Sequence, residues 1–349
     1  GEVAEKRGFS WANIAGVSAG ALVGAFMGAG CNSSMLSSIL NEFDYTKIKI
    51  GDVDEKVPVV ARYFEFCHGG GYRGQQSIIE FLESEFYTRL KNDNSEFTGH
   101  RRNIFKNIVT FSKEGCLFDG DYLEEWIYKT LRAKGIKTFG DLRYGIADKV
   151  NPRGYKVRMT AVDANRGRIV VIPDDMIFYG LDPDRFEVAK AVRMSTSVPF
   201  GFKPVEIQKK EGSTEKTHYF IDGGVLDNFP FWLIGSNSRI PSVGFRLDGG
   251  NKKKLFSLST PLNIIKALVS AVHDIGKPKN IHALNFVTNI NTSDVSFLDF
   301  NLDDEKKEYL YNSGKQAANH LFSFLQRKIV HRKIARFRFY PPGFRKWYL

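Results

Sequence analysis

The sequence predicts an α/β fold. Short apolar, β-favouring runs alternate with amphipathic helical windows along the chain. A small-residue pentapeptide, Gly16, Val17, Ser18, Ala19 and Gly20, sits where one apolar run passes into an Ala/Gly/Leu-rich helical pattern. There is no repeat of solenoid period and no low-complexity linker to cut the chain in two.

Residues 11–15 form the first apolar stretch and residues 21–29 the helical pattern that follows. The pentapeptide between them reads GxSxG, the grammar of a nucleophile elbow. A serine at the tip of a strand-to-helix turn must adopt strained backbone angles, and small neighbours at Gly16 and Gly20 let the two segments approach closely. The turn aims the helix N-terminus at Ser18, so the Ala19 backbone N–H can stabilise negative charge developing beside the serine.

An insertion or flap is expected over about 46–115, with 83–103, rich in Glu, Lys, Asn and Arg, as a surface loop. Inside it Gly69, Gly70, Gly71, Tyr72, Arg73 and Gly74 spell GGGYRG between an apolar run (57–67) and a helical pattern (77–82). The run is read as a glycine turn before a helix. Residues 122–131 then predict an amphipathic helix that stops at Gly135. Strands are expected at 156–162, 169–172, 219–221, 242–247 and 281–287, and covering helices at 261–272 and 303–326.

The strand at 219–221 delivers Asp222 to its carboxyl end, where sites in open α/β sheets collect. Gly223 and Gly224 permit a sharp turn there, and Asn228 and Pro230 fit a cap and a first helical position. A serine is a poor nucleophile without a base within reach, and Asp222 is the candidate base.

Composition narrows the classes. With 349 residues, 42% hydrophobic and 26% charged, the chain is globular rather than disordered. Cys31, Cys67 and Cys116 lack metal-like or disulfide-like spacing, which suggests a reducing compartment. No basic-then-apolar leader precedes Trp11, so no signal peptide is visible in residues 1–10. Residues 14–31 are uncharged, with Gly16, Gly20, Gly24 and Gly28 at small-xxx-small spacing, but are too rich in Gly, Ala and Ser for stable membrane insertion. The same spacing gives a soluble helix a flat face.

The formal charge of +11 is concentrated at the end of the chain, where Arg327, Lys328, Arg332, Lys333, Arg336, Arg338, Arg345 and Lys346 occur with no acid among them. Interleaved aromatics suit an anionic membrane surface. A terminal helix and strand with a solvated basic face is the plainer reading of the same run. No motif for nucleic acid and no cluster of metal ligands accompanies the charge, so neither nucleic acid, metal nor cofactor is expected.

AGVSAGALVG (15–24) and YFIDGGVLDNFP (219–230) resemble the two signatures of the bacterial-type patatin-like phospholipases. AVRMSTSVPFGFKPV (191–205) looks like that family's segment leading into the aspartate strand. LFDGDYLEEWI (117–127), KGIKTFGDL (134–142) and KEYLYNSGKQAA (307–318) agree in order. The resemblance implies a three-layer α/β/α domain with a mainly parallel central sheet over 1–325, followed by a basic aromatic tail, 326–349. It implies a lipid acyl hydrolase, phospholipase A or esterase, acting on phospholipid or other acyl esters from the cytoplasm or a membrane surface, with secretion left open. Ser18 would attack the acyl carbonyl and Asp222 would act as general base, so that no histidine is needed; His218 and His273 are expected to be ordinary surface or core residues.

One family element departs from the pattern. The glycine-rich loop GGGx(K/R)G that supplies oxyanion donors upstream of the serine does not occur before Ser18. The expectation is that Ala19 supplies one donor and the remainder lies upstream of Gly1. The alternative is a catalytically weak or inactive patatin-fold module that binds lipid or protein.

Overall fold

The computed structural model describes residues 1–43, 120–199, 202–234, 240–248, 285–293, 295 and 302–338. The insertion expected at 46–115 with its GGGYRG run, the helix expected at 261–272, His273 and residues 339–349 lie outside them. In chain order the helices and strands are α1 (Glu2–Lys6), β1 (Ile14–Val17), α2 (Ala19–Gly28), α3 (Ser33–Glu42), α4 (Asp121–Arg132), β2 (Val157–Asp163), β3 (Arg168–Ile172), α5 (Val188–Ser195), β4 (Val205–Glu211), β5 (Thr214–Asp222), β6 (Ser242–Asp248), β7 (Asn285–Asn291) and α6 (Asp304–Arg338). Among the described residues no helix is long and apolar enough to cross a membrane.

The chain divides into two compact units, one from Gly1–Ser10, Ser236–Lys253 and Asn280–Leu349, the other from Trp11–Gly235 and Lys254–Lys279. The second, larger unit holds a five-stranded sheet in the order β1-β2-β5-β4, with β3 also paired to β2. Pairing is mixed. β1 runs parallel to β2, while β3 and β5 run antiparallel to β2 and β4 antiparallel to β5.

All seven residues of β2 are buried, so both its faces are covered. Successive side chains on a strand point to opposite faces, and Val157 and Arg158 find different partners. Val157 lies under α2, where a Cβ at Gly28 would come within 2.0 Å of its Cγ2, while Arg158 reaches Asp174 (2.8 Å) and the Leu233 carbonyl (3.3 Å). Of the flat glycine face expected at Gly16, Gly20, Gly24 and Gly28, the helical part that packs closely on the strands is Gly24 and Gly28. At Gly24 a Cβ would press to 3.1 Å from Ile14 Cγ2. Helices α2 and α5 both pack on β2, and α4 packs on α5. Leu123, Ile127 and Leu131 of α4, one helical turn apart, are its buried face, and acids in its first turn and bases in its last suit the helix dipole.

Strand β4 was not expected from the sequence. Of its residues only Ile207 is buried, and as the terminal strand of the sheet among the described residues its polar side chains, including Lys209 and Lys210, suit an edge.

In the smaller unit β6 and β7 pair in parallel, Ser242 with Asn285 through Asp248 with Asn291. Strand β7 thus extends beyond the expected end at 287, because it pairs with β6 residue for residue. Helix α6 packs on β7 and α1. Phe322 meets Phe9 (5.1 Å between ring centroids) and Phe245 (6.2 Å), and Arg7 donates to Gln326 Oε1 at 2.8 Å. Residues 326–338, expected as the start of a tail, continue this helix.

His218 of β5 belongs to the core of the larger unit. Its Nδ1 lies 2.8 Å from Asp163 Oδ2, an oxygen that also accepts from the Tyr179 hydroxyl at 2.7 Å, while Oδ1 accepts the Arg166 N–H at 3.2 Å. Burial first, then the bond to Asp163, push the Tyr179 phenol far up. Asp163 is 0% exposed. Removing its carboxylate leaves the Tyr179 hydroxyl and His218 Nδ1 without their acceptor in a dry site, while the Arg166 N–H keeps the Asp163 carbonyl (3.2 Å), so Asp163→Ala is expected to lose about 3–5 kcal/mol of stability in urea denaturation.

Candidate active site

Strand β2 brings Ser18 and Asp222 together. Its residues 157–160 pair with β1 and its residues 161–163 with β5, while β3 pairs with 159–163. Because β3 overlaps both, β1 and β5 must share the opposite edge of β2, one after the other. They run toward each other along it, with Val17 opposite Thr160 and Asp222 opposite Ala161. The two carboxyl ends meet head-on, and the residue after Val17 is Ser18.

At that point β1 cannot continue, and the chain turns into α2. Ser18 carries φ 54° and ψ −127°, the non-glycine residue with positive φ among the described residues. Such a conformation is strained by about 1–3 kcal/mol and persists only when the surroundings over-determine it. As N-cap of α2, Ser18 accepts at its carbonyl from Ala21 N (2.9 Å) and Leu22 N (3.2 Å). Ala19 and Gly20, exposed in the first turn, have N–H groups with no acceptor inside the helix.

The glycines of the pentapeptide have different reasons. A Cβ at Gly16 would lie 2.3 Å from the Gly20 carbonyl oxygen, so strand and helix cross too closely for any side chain. Among the described residues a Cβ at Gly20 would meet nothing within 4 Å. Among them the close approach expected at both positions is thus required at Gly16 alone, and nothing crowds a Cβ at Gly20. Gly223 is required by the head-on junction, since its Cβ would fall 2.6 Å from the Thr160 carbonyl and 2.8 Å from Val17 Cγ2. At Gly224 a Cβ would press to 3.0 Å from Asp222 Oδ1.

Asp222 is 4% exposed. Its Oδ1 accepts the Gly224 N–H at 2.7 Å, capping a single 3-10 turn (Gly223–Val225). Oδ2 has no hydrogen-bond partner. The Ser18 side chain nonetheless lies close enough to favour the charged carboxylate, a contact longer or less aligned than a formed hydrogen bond, as resting sites often hold. Burial dominates: it pushes Asp222 from its ordinary 3.8 up to about 6, against the pull of Ser18 and of the Gly224 N–H. Pro230, expected at a first helical position, is instead the N-cap of a second short 3-10 turn, Phe231–Leu233.

Sequence reasoning assigned no role within 191–205, yet this segment closes the junction. The Ser195 hydroxyl accepts the Ser18 N–H at 3.0 Å and donates to the Thr160 carbonyl at 2.7 Å, and the Ser197 carbonyl accepts the Asp222 N–H at 2.9 Å. A run of hydroxyl residues at the end of an apolar helix was the available signal. Among the described residues no group of three or more His, Cys, Asp or Glu could hold a metal ion.

The family model described as patatin-like phospholipase matches residues 4–234. The "Uncharacterized protein YqhO" of Bacillus subtilis (strain 168) is 30% identical over 319 residues, covering 90% of this chain and 89% of that protein. Among solved structures, VipD from Legionella pneumophila superposes with a TM-score of 0.44 at 13% identity, over 92% of this chain. The chain spans 63% of the length of that VipD chain.

The two motif glycines separate in a stability measurement. Gly16→Ala is expected to lose several kcal/mol or fail to fold, because the obstructing atoms are backbone. Gly20→Ala is expected to fold with equal or slightly higher stability, since alanine favours the helix by about 1 kcal/mol and its Cβ meets none of the described residues within 4 Å. Thermal denaturation of the pair checks both.

Proposed function

The chain belongs to the patatin-like phospholipase family, and from that premise we propose that it is a lipid acyl hydrolase with Ser18 as nucleophile and Asp222 as general base. The observation that carries this reading is the head-on junction, which sets a strained serine beside a buried carboxylate whose Oδ2 has no hydrogen-bond partner.

In the proposed mechanism Ser18 Oγ attacks the acyl carbonyl as its proton passes to Asp222 Oδ2. The oxyanion that forms lies against the Ala19 N–H at the start of α2, where the helix dipole adds to the hydrogen bond. The tetrahedral intermediate collapses, Asp222 returns the proton to the leaving alcohol, and the acyl group stays on Ser18. Water then attacks the acyl-enzyme, giving its proton to Asp222, and the second tetrahedral intermediate releases the fatty acid and restores the Ser18 hydroxyl. A base near 6 suits this chemistry, being ionised at neutral pH yet basic enough to take a proton in the transition state. Among the described residues nothing lies within 4 Å of a Cβ built at Gly20, which supports access of an acyl ester to the serine. For a phospholipid substrate, the acid-free basic and aromatic run at 327–349 supports attraction to an anionic lipid surface.

Hydrolysis of p-nitrophenyl butyrate and of phosphatidylglycerol vesicles, together with labelling by a fluorophosphonate, tests the reading. Ser18→Ala is expected to abolish hydrolysis and labelling, and Asp222→Asn to lower kcat on the order of 10²–10⁴-fold. Unlabelled wild-type protein, or a Ser18→Ala variant as active as wild type, would overturn it. The acid limb of kcat/KM is expected near pH 6, with activity rising as Asp222 ionises. Stability moves the other way. The native state holds the Asp222 proton between 3.8 and about 6 while the unfolded chain has released it, so folding stability falls as pH rises through that window. At pH 7 the ionised, buried Asp222 lowers stability on the order of 3 kcal/mol. Asp222→Asn is therefore expected to melt higher than wild type at pH 7.5, with the difference shrinking toward pH 4.

A further inference from the structure

We propose that Ser195 is a positioning residue that holds the Ser18 elbow in its strained conformation, and that the Ser195 hydroxyl and the Ser197 carbonyl form the brace that fixes Ser18 relative to Asp222. The proposal rests on the reading of Ser18 and Asp222 given above.

The head-on meeting of β1 and β5 leaves a gap in the ladder along β2. At that gap the Ser18 N–H and the Thr160 carbonyl need partners, and one hydroxyl serves both. The Ser195 side chain is 0% exposed and uses its acceptor for Ser18 N (3.0 Å) and its donor for Thr160 O (2.7 Å). Two residues on, the Ser197 carbonyl takes the Asp222 N–H at 2.9 Å. One short segment thus grips the backbone of both proposed catalytic residues.

The brace is itself held. Buried Arg193 donates from Nη1 to Ser197 Oγ (2.6 Å) and from Nη2 to the Lys203 carbonyl (2.6 Å), while Ser197 Oγ donates back to the Arg193 carbonyl (2.7 Å). The guanidinium fills the space where a Cβ at Gly120 would sit, 2.1 Å from Nε. A serine at φ 54° relaxes toward an allowed region unless its peptide is tied down. Ser195 ties it through the N–H, and α2 through the carbonyl. Without the Ser195 hydroxyl, Ser18 Oγ shifts against both Asp222 Oδ2 and the Ala19 N–H. A misplacement of about 1 Å at a reacting atom is worth ~100-fold in rate.

The test compares Ser195→Ala with Thr196→Ala. The Thr196 hydroxyl is also buried, but bonds back to its own helix, to Val192 O (2.9 Å) and Arg193 O (3.3 Å), and touches neither side of the junction. In p-nitrophenyl butyrate hydrolysis at 25 °C, Ser195→Ala is expected to lose ~10- to 100-fold in kcat with KM changed less than about threefold. The rate of fluorophosphonate labelling is expected to fall by the same factor, whereas Thr196→Ala loses thermal stability and keeps the wild-type kcat. A merely structural role for Ser195 would lower the melting temperature of both variants and the kcat of neither. If Ser195→Ala does not fold, Ser195→Cys, slightly larger and a weaker donor and acceptor, replaces it, and a fall in its kcat with its melting temperature kept supports the brace. Wild-type kcat and labelling in a folded Ser195 variant, with Ser18→Ala inactive, overturn the brace and leave the dyad standing. Ser18→Ala as active as wild type overturns the dyad, and the brace with it.

Discussion

Everything at the candidate site depends on two strands sharing one edge of a third. β1 reaches Thr160 from one side and β5 reaches Ala161 from the other, so neither can extend without colliding. The collision is resolved by turning both chains out of the sheet at the same place. One leaves through a strained serine into α2, the other through Asp222 into a 3-10 turn. Proximity of the two side chains is then a property of the ladder register, which many hydrogen bonds fix at once, and not of any single contact between them.

The small residues around the junction follow from the same crowding. Gly16 and Gly223 are steric necessities against backbone or strand atoms, and Gly24 and Gly28 let α2 lie flat on Ile14 and Val157. That flat packing directs the helix N-terminus at Ser18, and the burial of α2 opposes the strain of the elbow. Buried apolar area of one or two side chains is comparable with the strain, about 1.5–3 kcal/mol each.

The elbow and Asp222 were legible in the sequence because each leaves a local mark: small residues at fixed spacing in one case, an apolar run ended by two glycines in the other. Their meeting was implied only by family resemblance. Strand register is written in backbone hydrogen bonds, and nothing in residues 14–17 or 219–222 announces that both pair with the same edge of β2. The role of Ser195 was hidden for a related reason. A buried hydroxyl at the end of a short apolar helix looks like a helix terminus, and its partners lie 177 and 35 residues away in the chain. β4 was masked by Lys209, Lys210 and Glu211, acceptable on an edge but unlike a core strand. α6 outran its expected end because residues 327–338 contain no glycine or proline to stop it.

The buried carboxylate of Asp222 also has an evolutionary consequence. The acid is held where water scarcely reaches it, with one oxygen capping a turn and the other unpaired. A neutral side chain of the same shape keeps the turn and escapes the desolvation. In any lineage freed from selection for turnover, substitution at this position is favoured by folding itself. If Asp222 is the base proposed above, the acid is kept at the expense of folding stability, and what it contributes is chemistry rather than architecture.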